Sequence, residues 1–169
     1  SRAINMPKVL TGNDVVVRGG RAILPQGNAA VLCHAASVSG GMTHILQTLS
    51  AVKHINIVKV FEPEHGLLAA LQDMVGSDGR YRDPYAGVEV ISLYGRTKES
   101  LKPSPENLAG VDYVVADMAD VGSRYYTFAA TAAFCFERAA SLGKPFYILD
   151  RPNPLDGITI EGPALRDGF

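Results

Sequence analysis

Cysteine is scarce in this sequence. Cys33 and Cys135 lie far apart, and Cys33 sits inside an apolar run, so neither a disulfide framework nor a metal-ligand spacing can be read from them, and buried free thiols are expected. An excess of charge is also missing: 16 basic and 17 acidic residues leave a net charge of -1, which gives no footprint for DNA or RNA. No apolar run approaches the roughly 20 residues of a membrane span. The start, SRAINMPKVL, lacks the apolar stretch of a signal peptide. It also lacks an initiator Met, so cytoplasmic and exported locations both stay open. Two nucleotide fingerprints are absent as well. Only Gly40 and Gly41 follow the first strand-like run, and no G-x-x-x-x-G-K-[ST] occurs, which argues against a nicotinamide cofactor or a nucleoside triphosphate. No cofactor is expected. Without a G-x-S-x-G elbow, a serine hydrolase of the common α/β type is disfavoured.

What is present suits one soluble globular domain. With 47% hydrophobic and 20% charged residues in 169, the chain can bury about two thirds of its unfolded surface. Short β-branched runs alternate with helical stretches. The runs AAVLC (29 to 33), INIVKVF (55 to 61), VEVISLY (88 to 94), DYVVADM (112 to 118) and PFYILD (145 to 150) read as strands covered on both faces. Apolar residues at Met42, Ile45, Leu46 and Leu49 predict a helix within 40 to 52. A second helix is predicted from Tyr125 to Leu142, with Phe128, Thr131, Ala132, Cys135, Phe136 and Ala139 on its packed stripe and Gly143 ending it. Ser104 and Pro105 predict the start of a short helix. The pattern predicts an α/β fold, a Rossmann-like three-layer sandwich with a mainly parallel sheet. Residues 1 to 28, 62 to 87 and 151 to 169 resist this scheme, and the last reads as an extended exit from a finished domain.

In an open parallel sheet, side chains just past the carboxyl ends of the strands line one crevice. His34 follows the first run; Glu62, Glu64 and His65 follow the second; Tyr94 ends the third; Asp117 and Asp120 close the fourth; Asp150, Arg151 and Asn153 follow the fifth. Each also admits a structural explanation. Glu64 with His65 could start a helix, Asp117 or Asp120 could bond loop backbone, and DRPNP could be a rigid turn. A cation at Arg124 opposes the dipole of the following helix, which favours a functional role for it. Tyr125 and Tyr126 read first as core or rim aromatics, and His44 and His54 as surface positions. The chemistry that survives is that of paired carboxylates: glycoside hydrolysis uses one as acid and another as base, nucleophile or stabiliser. Glu64 and the Asp117/Asp120 pair could supply both.

The stretches EPEHG (62 to 66), SLYG (92 to 95), DMADVGSRYYTF (117 to 128), LDRPNP (149 to 154) and EGPAL (161 to 165), in this order, resemble a bacterial family long known as a domain of unknown function. Its characterised members are exo-acting β-N-acetylmuramidases. The similarity runs from about Val31 onward. The resemblance implies a hydrolase that removes N-acetylmuramic acid from the non-reducing end of peptidoglycan fragments in cell-wall turnover and recycling. It also implies a Rossmann-like domain joined to a smaller second domain, with the site between them. On that reading, residues 1 to 160 form the catalytic domain and 161 to 169 begin the passage to a second domain. Three departures from the family's pattern bear on substrate detail. Glu62 replaces the usual serine of S-P-E-H-G, Ala119 replaces the glutamine of D-x-Q-D-V-G-x-R, and His34 stands where many relatives have Asn.

The resemblance makes Glu64 the general acid, with Glu62 either raising its pKa by proximity or facing solvent. Asp120 or Asp117 would support the developing oxocarbenium charge, activate water, or orient the sugar's acetamido group. Arg124 and Arg151 are candidates for the lactyl carboxylate of muramic acid, and Tyr94 and Tyr126 for sugar-stacking walls. His34, Glu62, His65, Asp150 and Asn153 complete the expected substrate-binding set. One rival is a metal-dependent hydrolase using His34, Glu64, His65 and Asp120, whose spacing matches no metal motif. Another is a non-catalytic module that binds cell-wall fragments.

Overall fold

The computed structural model describes residues 9–19, 23–67, 80–83, 87–95 and 97–166. Six strands form one sheet in the order β3-β4-β2-β1-β5-β6. They are β1 (Gly27–Cys33), β2 (Ile55–Glu62), β3 (Arg80–Arg82), β4 (Glu89–Ser92), β5 (Tyr113–Asp117) and β6 (Phe146–Ile148). All pairings are parallel except β3 against β4. The five expected strands are therefore present, and their carboxyl ends share one edge. β1 is fully flanked, by β2 on one side and β5 on the other. The chain builds outward from β1 through β2 to β4, then returns to lay β5 and β6 on its other side. That reversal opens a crevice at the carboxyl ends of β1 and β5.

Alternation along the strands divides the core in two. Ala29, Val31 and Cys33 of β1 face one cluster, which takes in Val16 of helix α1 (Gly12–Gly19) and Ile45, Leu46 and Leu49 of α2 (Ile45–Ser50). Ala30 and Leu32 face the other, with Leu108 and with Cys135 and Ala139 of α3 (Phe128–Ser141). Three layers result, as the sequence pattern predicts. In β2 the register shifts between Ala29 and Ala30 of its partner, whose pairing passes from Ile57 to Lys59. Val58 is the extra residue, so Ile57 and Val60 face one cluster while Val58 and Phe61 face the other.

Three features differ from the sequence reading. α1 falls in a stretch read as irregular, although Thr11 and Asp14 form a reciprocal cap: the Asp14 amide donates to Thr11 Oγ1 at 3.1 Å and the Thr11 amide to Asp14 Oδ2 at 3.0 Å. α2 begins at Ile45 rather than near Gly40. Met42 adopts φ 64 and is 78% exposed, because residues 39 to 43 make a turn closed by the Val38–His44 bridge. His44 then caps the helix, accepting from the Leu46 amide through Nδ1 while its Nε2 meets the His34 carbonyl at 3.0 Å. His44 is therefore no surface position, and neither is His54, half-buried with Nε2 on the Leu24 carbonyl. Phe136, read as part of the packed stripe of α3, is 53% exposed and leans edge-on against Phe146.

β3 is a further strand in a stretch read as irregular, and α3 begins at Phe128 rather than Tyr125; the following expectations hold. Both cysteines are free and buried. Ser104 Oγ caps the short 3-10 helix Glu106–Leu108, accepting from the Asn107 amide, and Gly143 closes α3 at φ 67. Most of the 62 to 87 connection, over 68–79 and 84–86, lies outside the described residues, as do 1–8 and 167–169. From Pro152 to Arg166 the chain forms no helix or strand and is largely exposed.

The start of α1 is held against the end of β6, where the Gly12 amide donates to the Asp150 carbonyl at 2.7 Å. A Cβ on Gly12 would lie 2.5 Å from Leu149 Cα and 2.7 Å from the Asp150 nitrogen, backbone atoms that cannot swing aside. Gly12→Ala is expected to destabilise the fold by about 2 kcal/mol, overpacking outweighing the better helix propensity of alanine. Gly41→Ala, where the nearest atom is 3.7 Å away, should be close to neutral. Urea midpoints of the two variants test this, and equal midpoints would refute it.

Candidate active site

Because the five parallel strands end on one edge, their last residues converge. β5 ends in Asp117, which is fully buried. Arg151, just past β6, grips it in a two-pronged ion pair, Nε on Oδ1 and Nη2 on Oδ2 at 2.8 Å. Burial raises the Asp117 pKa and Arg151 pulls it back. Both oxygens of Asp117 are thus occupied. Ser37 joins the two strands across the crevice, its hydroxyl donating to the Asp117 carbonyl and accepting from the His34 amide. Beside it, the His34 ring meets Phe128 edge-on at 4.6 Å.

Glu64 lies beyond β2 on a tight turn. The Gly66 amide donates to the Pro63 carbonyl at 3.1 Å, and His65 and Gly66 both take positive φ, 72 and 73. Thr127 Oγ1 donates to Glu64 Oε2 at 3.0 Å. Thr127 is the first flanking residue of α3 and makes no side-chain cap, since its hydroxyl points to Glu64 instead. Tyr94, past β4, faces Glu64, and the nearby carboxyl group raises the phenol's pKa. The carboxyl group therefore meets hydroxyls from two separate parts of the chain, Thr127 bonded to it and Tyr94 beside it. Each can donate or accept, so the arrangement suits Glu64 with or without its proton.

The start of α3 ties these parts together. Tyr126 packs on Phe128 at 4.5 Å, Phe128 on His34, and Thr127 between them binds Glu64. A cavity of about 980 Å³ opens beside it, lined among others by Asp120, Arg124, Tyr126, Thr159 and Pro163. Asp120 is exposed, with Oδ1 on the Gly122 amide at 2.9 Å. Arg124 is exposed and donates to the Pro163 carbonyl at 3.3 Å.

The remaining expected residues are scattered. His65 is exposed. Asp150 is exposed, with Oδ1 accepting from the Arg151 amide, and Asn153 Oδ1 accepts from Leu155 in the following turn. Glu62 is 2% exposed and lies beneath the turn rather than in solvent, its Oε2 accepting from the Leu67 amide and the Tyr81 hydroxyl, both at 2.7 Å. Among the described residues, no group of three or more His, Cys, Asp and Glu is placed to hold a metal ion. Thr127, Ser37 and Tyr81 were not singled out by the sequence. Thr127 sits inside the DMADVGSRYYTF motif, which was its available signal.

His34 carries an electrostatic signature. Burial, then the Arg151 cation and His44, lower its pKa to about 4. Its Nδ1 accepts from the Ala36 amide at 3.3 Å, so the neutral ring carries its proton on Nε2, a buried atom with no partner among the described residues. Since the folded pKa lies below the unfolded 6.5, the unfolded chain takes up a proton between pH 6.5 and 4 that the folded chain refuses. Stability is therefore full above that window and falls as pH drops through it, by roughly 3 kcal/mol for this group. His34→Asn is expected to flatten this part of the stability profile, measured by denaturant unfolding at pH 7, 5.5 and 4. An unchanged slope would place the acid sensitivity elsewhere.

The geometry can be set beside known proteins. The chain is 40% identical over 165 residues to the peptidoglycan beta-N-acetylmuramidase NamZ of Bacillus subtilis (strain 168), covering 96% of this chain and 38% of that protein. A crystal structure of a DUF1343 family protein from Bacteroides fragilis superposes with a TM-score of 0.80 at 31% identity, over 96% of this chain and 40% of that one. A second from the same species gives 0.69 at 27% identity, over 88% and 36%. The chain thus spans about two fifths of the length of these relatives. Residues 29–169 match the family described as exo-beta-N-acetylmuramidase NamZ, N-terminal. With Glu64, Tyr94 and Thr127 gathered on the edge of a fold shared with these proteins, the chain belongs to the exo-β-N-acetylmuramidase NamZ family, of which it represents the N-terminal, Rossmann-like part.

Proposed function

We propose that the full-length protein carrying this chain is a glycoside hydrolase that releases N-acetylmuramic acid from the non-reducing end of peptidoglycan fragments in cell-wall turnover and recycling. The observation that carries this reading is the presentation of Glu64 by Thr127 and Tyr94 at the carboxyl edge of the sheet. Membership of a family with a relative named as a peptidoglycan β-N-acetylmuramidase supports the substrate class.

Glu64 is the general acid. It gives its proton to the glycosidic oxygen as the bond to the anomeric carbon breaks. Water then adds to that carbon, and its proton returns to the Glu64 carboxylate. Asp117 does not suit the second carboxylate role, since both its oxygens are given to Arg151; its part is to fix that guanidinium. Asp120 has one oxygen beyond its turn bond, which can orient the attacking water or the sugar's acetamido N–H. Tyr94 and Tyr126 offer faces to the sugar. Arg124, exposed beside the cavity, reads the lactyl carboxylate in this proposal, its guanidinium fork matching a carboxylate.

Residues 1 to 160 form the catalytic unit in this reading, and 161 to 169 lead toward a second domain supplying the other wall of the cleft. The relatives' greater length supports this, as do Ile158, Ile160 and Leu165, large apolar residues left 85%, 94% and 64% exposed.

Glu64→Gln in the full-length protein is expected to lower kcat by at least about a hundredfold on a muramyl disaccharide. Undiminished release of muramic acid would remove Glu64 from the mechanism. Arg124→Ala should raise KM for a muramide on the order of tenfold, the worth of a charge-assisted hydrogen bond, and leave binding of the matching glucosaminide unchanged. An equal loss on both sugars would end the carboxylate assignment.

A further inference from the structure

The Glu62 side chain lies beneath the turn that carries Glu64. It is 2% exposed and makes no ion pair among the described residues. A carboxyl group kept in such a place needs strong donors. Among the described residues it has two, each at 2.7 Å to the same oxygen: the amide of Leu67, at the far end of the EPEHG turn, and the hydroxyl of Tyr81 on β3. Leu67 is itself buried in the core cluster. The turn between these anchors is conformationally expensive. His65 takes a left-handed φ of 72, a conformation that crowds the Cβ of any residue that has one, and Gly66 follows it at φ 73. A Cβ on Gly66 would come within 3.4 Å of Glu62 Oε2, so the turn is wrapped closely around that carboxyl group. Such a conformation persists only where its surroundings over-determine it. Burial and the bond to Glu62 raise the Tyr81 pKa, so the phenol keeps the proton it donates.

We propose that Glu62 and Tyr81 are positioning residues for Glu64: together they brace the EPEHG turn from below and so fix where the acid meets the leaving oxygen. The inference rests on the reading of Glu64 as general acid. It also gives β3 a task. The short antiparallel strand, hydrogen-bonded to β4 through Arg80–Ile91, Tyr81–Val90 and Arg82–Glu89 register, delivers the phenol that the turn requires. The side chain at position 62 is long enough to reach both donors.

The test is the dependence on the leaving group. A nitrophenyl muramide departs without a proton, whereas a muramyl disaccharide needs one, so a defect in acid placement falls on the disaccharide while a general loss of structure falls on both. In the full-length protein, Tyr81→Phe removes only the hydroxyl. It is expected to lower kcat on the disaccharide roughly tenfold, to leave kcat on the nitrophenyl muramide within about twofold of the parent, and to leave KM for both within about twofold, as acid placement affects the chemical step and not ground-state binding. Glu62→Gln, which keeps an acceptor oxygen for the Leu67 amide, should show the same split and a smaller loss than Glu62→Ala. Equal losses on both substrates, or no loss on either, would overturn the brace. Glu64→Gln run alongside separates the two readings. If it shows no split, the acid assignment fails and the brace falls with it. If it splits and Tyr81→Phe does not, only the brace fails.

Discussion

The direction in which the chain turns around β1 governs the rest of this structure. Strands added first on one side and then on the other leave the connections after β1 and β5 leading away from each other. No helix can close the gap between their carboxyl ends. The gap must then be satisfied by polar groups, and the sequence places Ser37, His34 and Asp117 there, with Arg151 arriving from the end of β6. The Asp117–Arg151 pair is the strongest of these contacts. A buried ion pair of this kind adds little net stability over an apolar pair but is severe to break, since either partner alone would be stranded. It therefore sets the geometry of the crevice more than it strengthens the fold.

This arrangement sorts three carboxylates that the sequence makes look alike. Asp117 gives both oxygens to Arg151, Glu62 gives one oxygen to the Leu67 amide and the Tyr81 hydroxyl beneath the turn, and Glu64, among the described residues, is bonded by the Thr127 hydroxyl and by no amide or guanidinium. Chemical availability follows from the partners, not from the residue type. A carboxyl group bound by a guanidinium or an amide can only accept there, whereas one bound by a hydroxyl such as that of Thr127 can accept from it or donate to it. The same reasoning separates the cationic side chains. Arg151 spends its fork on a buried aspartate, while Arg124, exposed beside the cavity with one bond to a carbonyl, keeps most of its donors for a ligand.

How legible this was in the sequence depended on the range of the forces involved. Runs such as AAVLC and DYVVADM announced β1 and β5 because both faces of those strands are buried, and burial acts on every residue. The crevice followed from placing polar residues at strand ends, which is a local property. α1 was missed although its cap, Thr11 with Asp14, is itself a local signal, because no clear apolar stripe accompanied it. β3 was missed for a different reason: three residues, RYR, have no periodicity to read. The start of α2 was misplaced because Met42 fits a helical stripe by composition, while the Gly40–Gly41 turn and the His44 cap decide otherwise. Glu62 shows the limit most plainly. Its fate turned on Tyr81, 19 positions away on an unforeseen strand, and no spacing rule connects them.

The start of α3 explains why a crevice on one edge can behave as a site. Tyr126, Thr127 and Phe128 are consecutive, and just before a helix begins such neighbours can point in different directions. Phe128 turns inward to pack on His34, Tyr126 leans on Phe128, and Thr127 reaches Glu64. A displacement of this segment would move the aromatic wall, the His34 contact and the Glu64 hydroxyl together. The Arg151 end is tied to the same place through His34, whose ring lies near that cation. The two halves of the crevice, one built on β2 and β4 and the other on β5 and β6, are thus coupled through a three-residue stretch fixed by its packing on the sheet. Rigid placement of this kind, rather than any single strong bond, is what the acid role proposed for Glu64 would demand, because the advantage of an acid depends on its already standing where the leaving oxygen will be.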